Sequence, residues 1–360
     1  MMHKIFESTD LLLFFQITFS FFLYFFVIKS NILKKYLKNI EHSEYYGVQK
    51  IHKKFTPRLG GVILYLSLIT YNLTSYNQSG EFFNCLLISS LPLIILSLKE
   101  DIYHNVSPKK RLFGILLSAL IFFILYDDLK LPNIQFPLID ILLENYYLAI
   151  LFFIFAILSV SNGFNIIDGS NGTCAFISLS QLISLSLISY YEGDTLILQC
   201  TLILGFYLLV FLFFNYPFGK IFLGDSGAYF LGFSISIMTI LLYGRNNELP
   251  TWGAILILFY PIVEMIFSTI RKKIFEGTSP FKPDPHHLHL KIYFNLNKIN
   301  KKSKFFISPN NLMIFTLAPI WLLPQIIIAN YYKSLFLIIW GIIISVIVYL
   351  VFYFIVPRKI

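Results

Sequence analysis

Several short segments of this 360-residue chain combine acids, amides, glycines and bases in patterns suited to handling a phosphate or a metal ion. In Asn162-Gly-Phe-Asn-Ile-Ile-Asp-Gly-Ser-Asn-Gly172, the polar residues Asn162, Asn165 and Asp168 recur every third position. A helix holds them within about 120° of arc on one face. Gly169 and Gly172 then end the helix and let backbone approach a ligand. A capped helix end with an Asn-Gly turn would explain the glycines. It would not explain three amide or acid side chains on one stripe. The segment Phe218-Gly-Lys-Ile-Phe-Leu-Gly-Asp-Ser-Gly227 sets Lys220 and Asp225 among glycines, just before an apolar run. Asp225 either caps the following helix or ligates a metal together with Glu100 and Asp101. Adjacent carboxylates such as Glu100 and Asp101 repel each other unless solvated or bridged by a cation. Taken alone, the pair reads as a solvated helix end. Carboxylates from separate loops suit Mg²⁺, which prefers a few acids plus phosphate oxygens.

Three of the seven histidines lie in Ser279-Pro-Phe-Lys-Pro-Asp-Pro-His-His-Leu-His289. No cysteine accompanies them, and Arg271, Lys272, Lys273 and Lys282 flank them. His287 and His289 therefore read as phosphate contacts rather than zinc ligands. In Thr56-Pro-Arg-Leu-Gly-Gly61, Arg58 offers a bidentate fork for an anion, although by itself the segment reads as a basic membrane anchor. Glu264 lies near the end of an apolar run and is a site candidate because intramembrane carboxylates are costly.

The elements that must carry these residues are membrane helices. Hydrophobic residues make up 57% of the chain and charged residues 13%, about half the charged share of a water-soluble domain. Apolar runs cover 9–28, 60–76, 82–98, 112–127, 146–161, 173–191, 195–214, 227–243, 251–270, 312–330 and 334–355. These lengths suit a hydrocarbon core of about 30 Å. The fold expected is all-α and polytopic, with about eleven transmembrane helices and one integral membrane domain over 1–360. The amphipathic segment 128–145 is expected at the outer interface. Cys85, Cys174 and Cys200 show no metal spacing and read as packing residues. If the loops after the odd-numbered runs face the cytoplasm, that side holds every Lys and Arg except Lys4, Lys130, Arg245 and Lys333, that is 24 of 28. The net charge of +9 is then a membrane-topology signal and implies no nucleic acid. The inner loops 29–59, 99–111, 162–172, 215–226 and 271–311 carry almost all the polar constellations, which places the site on the cytoplasmic face.

Taken together and in this order, the segments resemble the polyprenyl-phosphate N-acetylhexosamine-1-phosphate transferase family, glycosyltransferase family 4. The resemblance runs from about 49 to 290 and is strongest to its bacterial undecaprenyl-phosphate N-acetylglucosamine-1-phosphate branch. Pro57-Arg58-Leu59-Gly60-Gly61, the Asn162/Asn165/Asp168 segment, Lys220 to Asp225, Ser279-Pro280-Phe281 and His287-Leu288-His289 carry it. It implies transfer of a sugar phosphate from a UDP-N-acetyl-sugar to undecaprenyl phosphate, with Mg²⁺ (or Mn²⁺) as cofactor. It implies catalytic roles for Glu100, Asp101 and Asp225, with Asp225 and Asp101 on the metal. Arg58, Asn162, Asn165, Asp168, Lys220, Glu264, His287 and His289 are then substrate-binding. The implied setting is the bacterial inner membrane, among membrane lipids, with a homodimer as one form of assembly. The chain departs from the family pattern at Glu100 and Glu264, where Asp is expected. The spacing from Asp101 to Pro108 is also one residue longer than usual. Leu288 interrupts the three-histidine run of the relative that makes the peptidoglycan lipid, phospho-N-acetylmuramoyl-pentapeptide transferase, so that substrate ranks second. The rival class is an ion-coupled transporter, which would need acids at mid-bilayer and broken helices.

Overall fold

A computed structural model describes residues 9–40, 56–74, 78–303 and 307–357. The resemblance over 49–55 lies outside these residues. Among the described residues the chain is helical, with no strand. Six helices are each long and apolar enough to cross a membrane, and up to eight if two bent pairs each count as one span. Helices are expected here, because a chain in lipid must satisfy its own backbone polar groups.

The chain enters through α1 (Thr9–Lys29) and α2 (Asn31–Ile40), which meet at a 62° bend. Helix α2 carries Lys34, Lys35 and Lys38 among Ile32, Leu33 and Leu37, the pattern of a helix lying at a membrane surface. Helices α3 (Gly60–Asn72), α4 (Gln78–Ser89) and α5 (Leu91–Tyr103) follow. The apolar run 82–98 is not one straight helix. It bends by 53° between α4 and α5, where Pro92 sits in the first turn of α5 and cannot continue the hydrogen-bond ladder. After α6 (Pro108–Leu125), the short α7 (Pro137–Leu143) buries no side chain, in keeping with a surface segment over 128–145. The long helices α8 (Tyr146–Ile167), α9 (Thr173–Glu192), α10 (Thr195–Asn215) and α11 (Gly224–Arg245) form the centre. The run 251–270 divides into α12 (Gly253–Ile257) and α13 (Phe259–Ile270), with Pro261 in the first turn of α13. A π-helical turn, Arg271–Phe275, leads into the histidine loop. The chain finishes with α14 (Leu288–Ser303), α15 (Pro309–Thr316), α16 (Ala318–Tyr331) and α17 (Leu335–Ile355).

Helix α11 is the hub. Its whole apolar window is buried, and it packs against α8, α5, α3 and α9. Glycines allow that crowding: a Cβ on Gly61 would fall 2.1 Å from Cα of Gly227, and one on Gly232 would fall 2.6 Å from Cα of Ser161. Small residues let membrane helices approach at backbone distance, where dispersion is strongest.

The two ends of the bundle differ. At one end, Arg245 pairs with Asp194 at 3.1 Å and also with Asp128, Lys130 lies 3.9 Å from Asp128, and Lys333 pairs with Glu192 at 2.9 Å. These are three of the four basic residues assigned to the outer loops. The other end gathers the loops expected to face inward. Gly60 and Gly61 donate to the carbonyls of Phe222 and Leu223, Phe222 donates to Pro57, and Asn171 donates to Asn311. The three cysteines are free, two of them buried.

Gly61→Ala should lower the melting temperature of the purified protein in detergent, since its methyl has only backbone to displace; overpacking of this kind costs about 1–3 kcal/mol. Gly205→Ala, whose Cβ meets nothing within 4 Å, should be neutral or stabilising.

Candidate active site

The loop end of the bundle is built around the first turn of α11. That turn is buried, so its free N–H groups need partners. Asp101, near the end of α5 and itself buried, supplies them: its two carboxylate oxygens accept from the N–H of Asp225 at 2.8 Å and of Ser226 at 2.9 Å. Asp101 thus caps α11 from another helix. Gly224 has φ +76°, and a Cβ there would lie 2.6 Å from Asp101 Oδ2. The glycine therefore serves both the backbone turn and the approach of the carboxylate.

With its backbone held this way, Asp225 directs its carboxylate at the Arg111 guanidinium, and the two form an ion pair. Arg111 leaves the first turn of α6 and also feels the charge of Glu100. Glu100 accepts from the Val106 N–H at 2.7 Å and so closes the turn between α5 and α6. A longer acid in this position can reach that amide across the six-residue turn.

Asp168 ends α8. Burial pushes its carboxyl up to about 7; Arg58 opposes the rise and Asp225 adds to it. Asp101, Asp168, Asp225 and Arg58 therefore share one electrostatic neighbourhood. Asn162 and Asn165 lie half-exposed on the same helix as Asp168, open to a ligand. Beside this group a cleft runs between α2, the start of α3 and the end of α5. Leu37, Leu59 and Ile102 make it apolar on one side, and Arg58, Asp101 and His104 make it polar on the other. Lys220 is exposed, with its ammonium 4.7 Å from the Phe218 ring centre.

The histidine loop is more enclosed than its sequence indicates. Arg271 is buried and pairs with Glu276 and Asp284, and Lys272 donates to the carbonyls of Pro280 and Lys282. These two cations are engaged within the loop by its own acids and carbonyls. Burial pushes the Asp284 carboxyl up, but His287, the His286 N–H and Arg271 outweigh it and hold the group below the usual range. His287 and His289 stack with ring centres 5.7 Å apart. His287 Nδ1 lies 2.9 Å from Glu264 Oε1. Glu264, on α13, is 1% exposed. His289 packs on the Asn162–Gly172 segment: a Cβ on Gly169 would lie 2.4 Å from its Nε2. Burial and the neighbouring His287 lower His289 to about 4, so at neutral pH it acts as a dipole and not a charge.

Among the described residues, no three His, Cys, Asp or Glu side chains converge closely enough to hold a metal by themselves. The donor set still fits a hard cation shared with a substrate. Asp225 and Asp101 offer oxygens only, each carboxylate has more lone pairs than protein donors, and Mg²⁺ keeps water and phosphate oxygens for most of its ligands. Sequence reasoning missed Arg111 as the partner of Asp225, Asp284 as a support of the histidine loop, and Tyr349, described below. For Arg111, its place in a basic cluster three residues into a helix was the only signal.

The glycosyl transferase family 4 model matches residues 83–243, a stretch that contains Glu100, Asp101, Asn162, Asn165, Asp168 and Asp225. The chain is 29% identical over 242 residues to a probable undecaprenyl-phosphate N-acetylglucosaminyl 1-phosphate transferase of Bacillus subtilis, covering 67% of this chain and 66% of that one. It is 25% identical to the undecaprenyl-phosphate alpha-N-acetylglucosaminyl 1-phosphate transferase of Thermotoga maritima, covering 72% and 76%. It is 28% identical to a phospho-N-acetylmuramoyl-pentapeptide-transferase of Streptococcus agalactiae, covering 71% and 81%. Over that stretch the chain is similar to glycosyl transferase family 4, and these bacterial sugar-phosphate transferases are among the proteins it resembles.

An unfolded histidine takes up its proton near pH 6.5, whereas folded His289 does so only near 4. Its contribution to stability is therefore whole above pH 6.5 and is lost as the pH falls from 6.5 towards 4. Between pH 7.5 and 5 the loss should reach about 2 kcal/mol. Thermal unfolding in detergent should show this for the wild type, and a smaller loss for His289→Gln.

Proposed function

We propose that the protein transfers N-acetylhexosamine 1-phosphate from a UDP-sugar, foremost UDP-GlcNAc, to undecaprenyl phosphate. UMP is released, and the lipid-linked product starts a cell-surface polysaccharide. The reaction runs at the cytoplasmic face of the bacterial inner membrane, in a bundle with eleven crossings that counts the shorter and broken helices 60–72, 108–125 and 253–270 as spans. The observation that carries this reading is the meeting of Asp225, Asp101, Asp168, Arg111 and Arg58 at the end of the bundle where the basic loops collect.

The attacking group is a phosphate monoester, mostly dianionic at neutral pH because its second pKa is about 6. It needs little help from a base. An oxygen of the lipid phosphate attacks the sugar-bearing phosphorus, a new P–O bond forms, and the bond from that phosphorus to the bridging oxygen breaks. The bridging oxygen leaves with UMP. The obstacle is the approach of two anions, and the residues present act on it. Arg58, in the amphipathic cleft, suits the headgroup of the lipid phosphate, with Leu37 and Ile102 against its first isoprene carbons. Asn162 and Asn165 offer amides to the nucleotide-sugar. Arg111 and Lys220 offset diphosphate charge, and the histidine loop shapes the floor beneath that diphosphate through Asp168 and Gly169. Asp225 and Asp101 would hold Mg²⁺, which would supply positive charge to screen the repulsion between the two phosphates. An ion-coupled transporter is disfavoured, because the acids collect at one end of the bundle. The Streptococcus agalactiae relative supports phospho-N-acetylmuramoyl-pentapeptide as the second choice of substrate. A panel of UDP-sugars with undecaprenyl phosphate, scored for UMP release, separates the two.

Turnover should stop in EDTA and return with Mg²⁺ or Mn²⁺. Asp225→Asn keeps its shape but loses the charge, and should reduce kcat by at least about 10²-fold with unchanged expression. Wild-type turnover of that variant would remove Asp225 from the chemistry. Cysteines placed at Asn105, Ser170 and Ser303 in a cysteine-free background should resist an impermeant thiol reagent in intact cells; labelling at any of them would overturn the shared cytoplasmic site.

A further inference from the structure

The last membrane helix, α17, lies far outside the segment matched by the family model and contributes nothing to the open cleft, yet it reaches the histidine loop. Tyr349, fully buried on α17, donates its hydroxyl to Glu264 Oε2 at 2.9 Å. The other oxygen of Glu264, Oε1, faces His287 Nδ1 at 2.9 Å and the Leu288 N–H at 3.3 Å. One carboxylate thus ties α17, α13 and the histidine loop together. One turn further along α17, the buried Lys291 at the start of α14 donates to the carbonyl of Tyr353 and lies 3.8 Å from that ring's centre. Phe267 packs edge-on against both tyrosines. The loop is therefore held at two points by the same helix.

We propose that Tyr349 is a positioning residue for sugar-phosphate transfer. Through Glu264 it sets the orientation and tautomer of His287. A buried carboxylate that accepts from an imidazole fixes which ring nitrogen carries the proton and where the other one points. With Nδ1–H engaged by Glu264, the Nε2 edge of His287 is left for Asp284, 3.6 Å away, and for the floor under the diphosphate. Without the tyrosine hydroxyl, Glu264 Oε2 loses its donor in a buried site. The carboxylate then turns to find another, and His287 turns with it. Deletion of one buried partner leaves the other's desolvation uncompensated, so the effect of a single oxygen atom extends past its own contact. The kinetic part of this inference rests on the proposed reaction; the structural part does not.

The test is Tyr349→Phe in the full-length protein purified in detergent, with two readouts. In histidine-selective ¹⁵N NMR, the Nδ1–H resonance assigned to His287 by its loss in His287→Ala should move in Tyr349→Phe, while that of His104 stays. In steady-state assays, KM for the UDP-sugar should rise about five-fold with KM for undecaprenyl phosphate unchanged. Tyr349→Phe added to His287→Ala should cost nothing more, as expected for residues acting through one another. An unmoved His287 resonance overturns the inference, as does a loss that adds in full to that of His287→Ala or raises both KM values alike. A moved resonance without any change in the UDP-sugar KM upholds the coupling and instead counts against the place given to the histidine loop in the proposed reaction. Should Tyr349→Phe be poorly folded, Glu264→Gln breaks the same link from the other side, since its amide nitrogen cannot accept from Tyr349 or His287, and it is read by the same resonance.

Discussion

Two hydrogen bonds that the Asp101 carboxylate accepts from the first N–H groups of α11 organise this molecule. A helix buried along its whole length begins with N–H groups that water cannot reach. In an apolar setting each unmet donor costs on the order of 1–3 kcal/mol. The chain meets two of them with one carboxylate from α5. That places the end of α5, the glycine turn at Gly224 and the side chain of Asp225 in a fixed relation. Arg111 then meets Asp225 as its ion-pair partner. The start of α3 joins the same turn through Gly60 and Gly61, whose N–H groups donate to Phe222 and Leu223. Cap, turn and glycine contact are parts of one junction, and the residues proposed to handle phosphate stand on it.

Electrostatics at this end of the bundle work in two layers. The inner layer is spent on folding. Arg271 is closed off by Glu276 and Asp284, and Lys272 and Lys291 donate to backbone carbonyls. The outer layer contains Arg58, Lys220 and the Arg111–Asp225 pair, which keep access to solvent. Three aspartates lie close to these groups, and at Asp168 burial raises the carboxyl first, with Arg58 opposing the rise and Asp225 adding to it. In the proposed reaction a cation shared with the anionic substrate would complete this site. His289, neutral and packed on Gly169, shows that a histidine in a basic loop need not be a cation. Burial outweighs the nearby carboxylates in setting its charge.

Much of this was legible in the order of residues. The apolar runs mark the chain as a multi-pass membrane protein, because transfer from water to hydrocarbon acts on each run independently of tertiary contacts, and the 24-to-4 partition of basic residues sets an expectation for which loops share a face. The stripe Asn162, Asn165, Asp168 and the glycine-flanked Asp225 also mark, by type and spacing, the residues proposed to handle phosphate. The breaks inside 82–98 and 251–270 were not expected, although their causes are local, since Pro92 and Pro261 act on their own neighbours.

The partners of these groups were a matter for the tertiary structure alone. Asp101 meets its amides across 124 positions, Asp225 meets Arg111 across 114, and Tyr349 meets Glu264 across 85. A carboxylate's role as cap, ion-pair partner or support for an imidazole depends on which donor is within about 3 Å. Sequence periodicity conveys nothing about such distances. The same holds for Arg271, which by composition is one more surface cation and by packing is among the most buried side chains in the protein. Desolvation is a property of the assembled neighbours and not of the residue, so the division between charges that fold the chain and charges that face a substrate arises only when the helices have packed.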